Sequence, residues 1–170
     1  MNMAKTFSQM KNIIEDWIKV TNTEYRDTTE EIQKKVPKVE WQILMQKVIH
    51  VTAYKGREDR VYLHTQTSFD SKLSSKLTVG IDEVENIVRE INAFLITNDL
   101  RFEWKVKEKL ITGFVIKSSI DSEILDRPHF FYTWDKILST TSHVSGILMR
   151  LAKQSQTQTS TDSSASTMYQ

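Results

Sequence analysis

Histidines are the residues in this sequence whose chemistry would suit metal binding or proton transfer. They stand at positions 50, 64, 129 and 143, no two of them four residues apart, and there is no cysteine. Only His50 and His64 are placed to meet, on the two strands of one predicted hairpin, where Glu58 or Asp59 could add a carboxylate. Because these acids fall at the turn, ordinary sheet histidines are the favoured interpretation. We therefore predict no metal site and no cofactor.

Two short charged clusters could take part in recognition. Glu58, Asp59 and Arg60 would form the tip of a hairpin, and Asp126 with Arg127 would precede a helix. Such clusters are more typical of a charged turn beside a strand and of a helix cap. The sequence contains no nucleophile elbow, dinucleotide fingerprint or phosphate loop. A non-enzymatic protein is therefore expected, while an enzyme without a recognisable motif stays an open alternative.

Aromatic residues on predicted strands are the remaining sign of function. Core packing would explain most of them, but any that face outward would form an interface, because Trp and Tyr dominate binding hot spots. The aromatic residues on strands are Trp41, Tyr54, Tyr62, Phe102 and Trp104. The candidate interface taken from this set consists of Trp41, Tyr62, Phe102 and Trp104.

The strand at 100–107 also mixes aromatic and basic residues, as single-strand nucleic-acid platforms do. Arg101, Lys105 and Lys107 alternate with Phe102 and Trp104, so a regular strand would place the two sets on opposite faces. The 23 Lys and Arg are balanced by 22 Asp and Glu, without the basic excess of a typical nucleic-acid-binding domain. A nucleic-acid-binding module is therefore an alternative to protein binding rather than the first choice.

The composition fits one globular domain in a reducing compartment. The 170 residues, 39% of them hydrophobic, are enough to bury a core. No apolar run approaches the roughly 20 residues that span a bilayer, and the start of the chain has no signal-peptide pattern. The absence of cysteine fits the cytoplasm. We expect a cytoplasmic protein that does not insert into a membrane.

Three apolar stripes with a period near 3.6 residues predict three helices. They lie at about 6–20, at about 79–97, and from about 126 to 151. Thr6 is the predicted N-cap of the first helix and Asp126 that of the last. Asn98-Asp99 is the predicted end of the second. A polar connection covers 21–38, and a linker covers 68–80.

Five segments have the alternating or β-branched pattern of strands. The predicted strands are 39–46, 48–54, 60–67, 100–107 and 110–118. Short charged turns join the second to the third and the fourth to the fifth, which predicts hairpins at 48–67 and 100–118. The strand at 110–118 is apolar on both faces, so it should be central in the sheet.

These elements follow the order α-β-β-β-α-β-β-α. Strands joined by short turns pair antiparallel, and amphipathic helices must bury their stripes. We therefore predict an α+β fold in which a five-stranded antiparallel sheet carries three helices. One domain would cover 1–152, and the Ser/Thr/Gln-rich tail at 153–170 would be disordered because it has too little to bury.

Three segments carry a resemblance to known families, at 13–18, at 55–63 (Asp59 to Tyr62 above all) and at 120–131. Over about residues 5–152 the chain resembles the class I type III secretion chaperones and the YbjN-like proteins. It looks most similar to a small uncharacterised archaeal family thought to share their fold. The secretion chaperones are homodimers that hold an extended stretch of another protein. The resemblance therefore implies a chaperone-like or adaptor protein that binds another polypeptide, as a homodimer.

Overall fold

The computed structural model describes residues 5–97 and 100–161, with side chains for 5–96 and 100–151. The helices are α1 (Phe7–Val20), α2 (Thr29–Gln33), α3 (Ser71–Ser74), α4 (Asp82–Thr97) and α5 (Arg127–Thr161). The strands are β1 (Tyr25–Asp27), β2 (Val39–Met45), β3 (Ile49–Tyr54), β4 (Arg60–Ser68), β5 (Arg101–Lys107) and β6 (Leu110–Asp121).

The strands form one antiparallel sheet in the order β1-β2-β3-β4-β6-β5. This confirms the predicted α+β class, with six strands and five helices among the described residues in place of five and three. The extra elements are β1 and α2, within the connection 21–38, and α3, within the linker 68–80. Each of the three has five residues or fewer, which is too short to show a hydrophobic period. The strand β6, predicted to be central, is an interior strand paired on both sides, between β4 and the edge strand β5.

Two hairpin turns are closed without glycine or asparagine. Gln46 and Lys47, between β2 and β3, have φ of 48° and 60°, and Glu108 and Lys109, between β5 and β6, have 50° and 66°. Positive φ at both central residues gives a turn whose twist matches that of the paired strands. The sequence lacks the usual turn residues at 46–47, yet the chain reverses there, so 39–54 forms two strands as predicted.

The core lies between one face of the sheet and the three long helices. Its residues come from the apolar stripes of α1, α4 and α5 and from alternate positions of the strands, as the periods predicted. Residues with no exposed surface include Met10, Ile14, Ile18, Ile43, Val51, Leu63, Phe114, Ile116, Phe130, Ile137, Val144 and Leu148. We call this side of the sheet the covered face and the opposite side the open face.

Both predicted N-caps are present. The Thr6 hydroxyl accepts from the Gln9 backbone N–H at 3.3 Å, and the Gln9 side chain accepts from the Thr6 backbone N–H at 2.9 Å. The Asp126 carboxylate accepts from the backbone N–H of His129, the residue after Pro128, at 2.8 Å. Each cap satisfies backbone donors that have no partner within the helix. Asp126 thus has the structural role that the sequence favoured for it.

The last helix continues beyond the predicted end of the domain. Its backbone is helical to Thr161, whereas the apolar stripe ends at Leu151. The remainder of the predicted tail, 162–170, lies outside the described residues, as does the predicted helix stop at Asn98-Asp99. Across 5–97 and 100–161, no helix is both long enough and apolar enough to span a membrane.

Gly113 lies on β6 at one end of the pairing between β4 and β6. It is opposite Ser68 in the long β4–β6 pairing, which runs from Arg60↔Asp121 to Ser68↔Gly113. A Cβ added at Gly113 would overlap the Thr67 carbonyl oxygen. Glycine is therefore required by the close approach of the two backbones.

Candidate functional site

A histidine pair lies at the centre of the open face. His50 on β3 is directly opposite His64 on β4, and the rings stack with centroids 5.0 Å apart. Burial lowers the pKa of the His64 imidazole to about 4, helped by the nearby His50 and Lys117. Burial also lowers the pKa of His50. The two histidines meet as predicted, in an environment that keeps them neutral.

The histidine pair is not part of a larger ligand cluster. Among the residues that the structure describes, no three His, Asp or Glu side chains come together to hold a metal ion. Asp59 instead bonds Arg60 through its carboxylate at 2.6 Å, and its carbonyl accepts from Ser122 at 2.7 Å. The Arg60 side chain holds the pKa of Asp59 below its ordinary value. The predicted hairpin tip is thus tied to the end of β6.

Next to the histidines, a buried polar ladder crosses from β2 to β3. The Gln42 side chain donates to the Thr52 hydroxyl at 2.9 Å and accepts from the Thr28 hydroxyl at 3.0 Å. Thr28 immediately precedes α2, which packs against β2. The short helix therefore covers this end of the open face, and the polar groups beneath it are hydrogen-bonded, as buried groups must be.

The opposite end of the sheet is an uncovered edge strand. In the described chain β5 pairs with β6 alone, so its outer backbone N–H and C=O groups have no strand partner. Phe102 and Trp104 point from β5 toward the covered face, where Phe102 stacks on Phe114 with centroids 5.4 Å apart. Arg101 is opposite Lys117 of the open face. The predicted separation of basic and aromatic residues along β5 therefore holds at its start.

An apolar groove lies between β5 and α4, and we call it the edge groove. Its volume is about 340 Å³, within the range of small binding sites. Trp104 forms part of its wall, and the Trp104 indole nitrogen is buried with no hydrogen-bond acceptor in the part of the chain that is described. The groove is lined by Val79, Val84, Glu85, Val88, Arg89, Trp104, Val106 and Ile111.

Exposed apolar side chains continue around the edge groove. Two residues that line it are exposed, Val106 by 52% and Val79 by 38%, and Ile81, which immediately precedes α4, is 49% exposed. Scattered exposed apolar residues are ordinary, but several beside one groove are typical of an interaction site. Val84 and Val88 lie within the predicted apolar stripe at about 79–97, and no sequence pattern marks Val79 or Val106 as functional.

The four residues of the candidate interface do not form one surface. Trp41 is 4% exposed and donates its indole N–H to the Phe7 carbonyl at 3.1 Å, so it is a core residue. Tyr62 is half-buried on the open face, with its ring centroid 5.2 Å from that of Tyr54. Phe102 and Trp104 lie at the opposite side of the sheet, beside α4. Of the four, Trp104 alone lines the edge groove.

The comparisons with known proteins bear on the fold. No family model matches the chain, and no curated protein matches it. An uncharacterised protein from Methanothermobacter thermautotrophicus, solved by crystallography, superposes with a TM-score of 0.71 at 10% identity, covering 83% of this chain and 97% of that one. The two proteins share a fold. The predicted likeness to an uncharacterised archaeal family is thereby confirmed at the level of structure.

A second solved structure is YbjN from E. coli. It superposes with a TM-score of 0.47 at 8% identity, covering 85% of this chain and 93% of that one. Sharing a fold does not carry an activity from one protein to another. The function must therefore be argued from the surfaces of this chain.

Proposed function

We propose that this protein is a non-enzymatic domain that binds an extended segment of another polypeptide along β5. The observation that carries the proposal is the juxtaposition of an unpaired strand edge with an apolar groove. Peptides that add a strand to a sheet gain affinity from main-chain hydrogen bonds and specificity from pockets for alternate side chains. The edge of β5 supplies the first requirement and the edge groove supplies the second.

The groove has the composition expected of such a pocket. Its lining is aliphatic and aromatic apart from Glu85 and Arg89, and Trp104 and Val106 belong both to the strand and to the groove wall. A segment paired with β5 would direct every second side chain toward this wall.

Charges along the strand indicate the chemistry of the partner. Arg101, Lys105 and Lys107 are basic, and the one acid of the strand, Glu103, is already paired with Lys117 at 3.0 Å. We infer that the bound segment carries acidic residues beside its apolar ones. Two copies of β5 would repel each other, so this edge favours a different polypeptide over a second copy of the chain. The homodimer that the resemblance implies would then use another surface.

The test compares the polypeptides that co-purify from native cells with the tagged wild type and with a variant altered in the edge groove. Val106→Glu places a charge at the groove, and Ile124→Glu makes the same change away from it, at a residue with nearly equal exposure (52% and 53%). We expect one polypeptide, at near-equal stoichiometry by mass spectrometry, with the wild type and with Ile124→Glu. Its recovery should fall at least about tenfold with Val106→Glu, because a buried unpaired charge costs several kcal/mol.

Hydrogen exchange on the purified complex would then locate the contact. Protection of the β5 backbone amides is the expected result, since strand addition gives them new acceptors. Equal recovery of the partner by all three forms would mean that it binds elsewhere. Protection of other strands without β5 would also count against binding at this edge.

A further inference from the structure

A second groove crosses the open face, on the other side of the sheet from the edge groove. We call it the tyrosine groove, because Tyr54 and Tyr62 form its floor with ring centroids 5.2 Å apart. Both tyrosines are half-buried. The groove has a volume of about 460 Å³, and its cationic side chains are Lys38, Lys55, Arg57, Arg101 and Lys117.

The positive charge of this groove is largely uncompensated. No acidic residue is among those that line it. Lys117 is paired with Glu103, whereas the other four cations have no ion pair within the described chain. Lys38, Lys55, Arg57 and Arg101 are all exposed. A chain with a net charge of only +1 therefore concentrates cations at one groove, which would attract a polyanion.

The cations are spread too widely for one small anion. Lys38 immediately precedes β2 and Arg101 begins β5, and four strand spacings separate these strands in the sheet. Neighbouring strands are about 4.8 Å apart, so the two strands beside these cations are about 19 Å apart. A single phosphate would reach only one end, whereas a chain of phosphates could follow the cations across the sheet.

The tyrosines distinguish among polyanions. Single-strand binding proteins combine a positively charged groove with aromatic side chains on which bases stack. On β5 the aromatic and basic residues point to opposite faces, which argued against such a platform. On the open face the aromatic residues come instead from β3 and β4, and they share their side of the sheet with Lys117 and Arg101. The required combination is thus assembled across strands.

We propose that the tyrosine groove binds single-stranded nucleic acid. The cations contact successive phosphates, and Tyr54 and Tyr62 stack against bases. This inference goes beyond the proposed polypeptide binding and uses the other face of the sheet. The two proposals share Arg101, but their tests change different residues.

The experiment is a fluorescence anisotropy titration of the full chain with labelled oligothymidine of about 12 nucleotides, within the usual site size. For single strands the slope of log K against log salt is about −0.7 per phosphate contact. Four unpaired cations therefore predict a slope of about −3 for the wild type. Lys55→Gln with Arg57→Gln should reduce its magnitude by about 1.4.

A matched control removes the same charge elsewhere. Lys72→Gln with Arg150→Gln changes one exposed lysine and one exposed arginine outside the groove, and should leave the slope unchanged. Tyr62→Leu tests stacking and should weaken binding between about 5- and 150-fold, the range for losing one stacked base. The exposed charge variants keep the test valid if Tyr62→Leu does not fold.

Several results would overturn the inference. These are no binding at low salt, equal slopes for the two charge-removal pairs, or equal affinity for duplex DNA. Tight binding of an acidic peptide of the same charge would show that the groove binds a polypeptide ligand. Equal affinity for a single mononucleotide would assign it to a free nucleotide. Affinity unaffected by Tyr62→Leu in a folded protein would reduce the groove to a nonspecific anion surface.

Discussion

The two faces of the sheet are built from the same strands but follow different rules. On the covered face, Ile43, Val51, Leu63 and Ile116 are fully buried against three helices. On the open face the corresponding positions carry hydrogen-bonded, titratable or cationic groups, such as the Gln42–Thr52 pair and the stacked histidines. Neighbouring residues along one strand thus have different roles.

Alternation along a strand therefore separates the residues that stabilise the fold from those available for recognition. Substitutions that point to the helices should change the free energy of unfolding, because they remove buried apolar contacts. Substitutions that point to the open face should act through hydrogen bonds, protonation or ligand binding. Three measurements test this distinction between the two faces.

The largest effect is expected for Phe114→Ala on the covered face. Phe114 is fully buried in the central strand, in ring contact with Phe69, Phe102 and Trp104. Removing it should lower the free energy of unfolding by about 3–5 kcal/mol, as measured by urea denaturation. Ser119→Ala on the open face is the control, with a change within about 0.5 kcal/mol. Similar losses for the two variants would remove the distinction between the faces.

The histidine pair should make stability depend on pH. Its folded-state pKa values are lowered, that of His64 from 6.5 to about 4. The unfolded state therefore binds more protons between these pH values, so stability is complete above about pH 6.5 and is lost as pH falls toward 4. We expect a loss of roughly 2–3 kcal/mol across this window, measured by urea denaturation at each pH.

Replacing both histidines tests the assignment of this pH dependence. His50→Gln with His64→Gln should flatten the profile between pH 6.5 and 4, whereas His129→Gln with His143→Gln, at exposed positions, should preserve it. A profile that stays steep without His50 and His64 would place the responsible groups elsewhere.

A smaller effect is expected for Thr52→Val on the open face. This nearly isosteric change removes the acceptor of the Gln42 side-chain N–H under α2. An unsatisfied buried donor should lower the free energy of unfolding by about 1–2 kcal/mol in the same assay. Thr65→Val is the control on the covered face, where no hydrogen bond of the Thr65 side chain is found within the described residues. Equal effects would mean that the ladder contributes nothing.

Much of the fold could be predicted from periodicity. The stripes of the three long helices and the hairpins β3–β4 and β5–β6 are long enough to show their spacing, and Thr6 and Asp126 are caps of the expected type. The elements β1 and α2 could not be found in the same way. Tertiary contacts hold both in place: β1 pairs with β2, and Thr28, Thr29 and Gln33 at α2 hydrogen-bond to β2.

The binding surfaces were harder to predict than the fold. The edge groove depends on how α4 packs beside β5, and the tyrosine groove depends on which strands become neighbours. The alternation of side chains along β5 correctly predicted that Arg101 and Phe102 point to opposite faces of the sheet. It could not show that Arg101 would share a face with Tyr62, because that requires the β4-β6-β5 order.

The contact between Gly113 and the Thr67 carbonyl oxygen has a consequence for how this chain can diverge. Any side chain at position 113 would have to push β4 and β6 apart. Substitution of this glycine is therefore incompatible with the β4–β6 pairing as it stands. The exposed lysines of the open face have no comparable restriction. Over long divergence, relatives of this chain should retain a glycine at this seam while the groove beside it changes its charge and its partner.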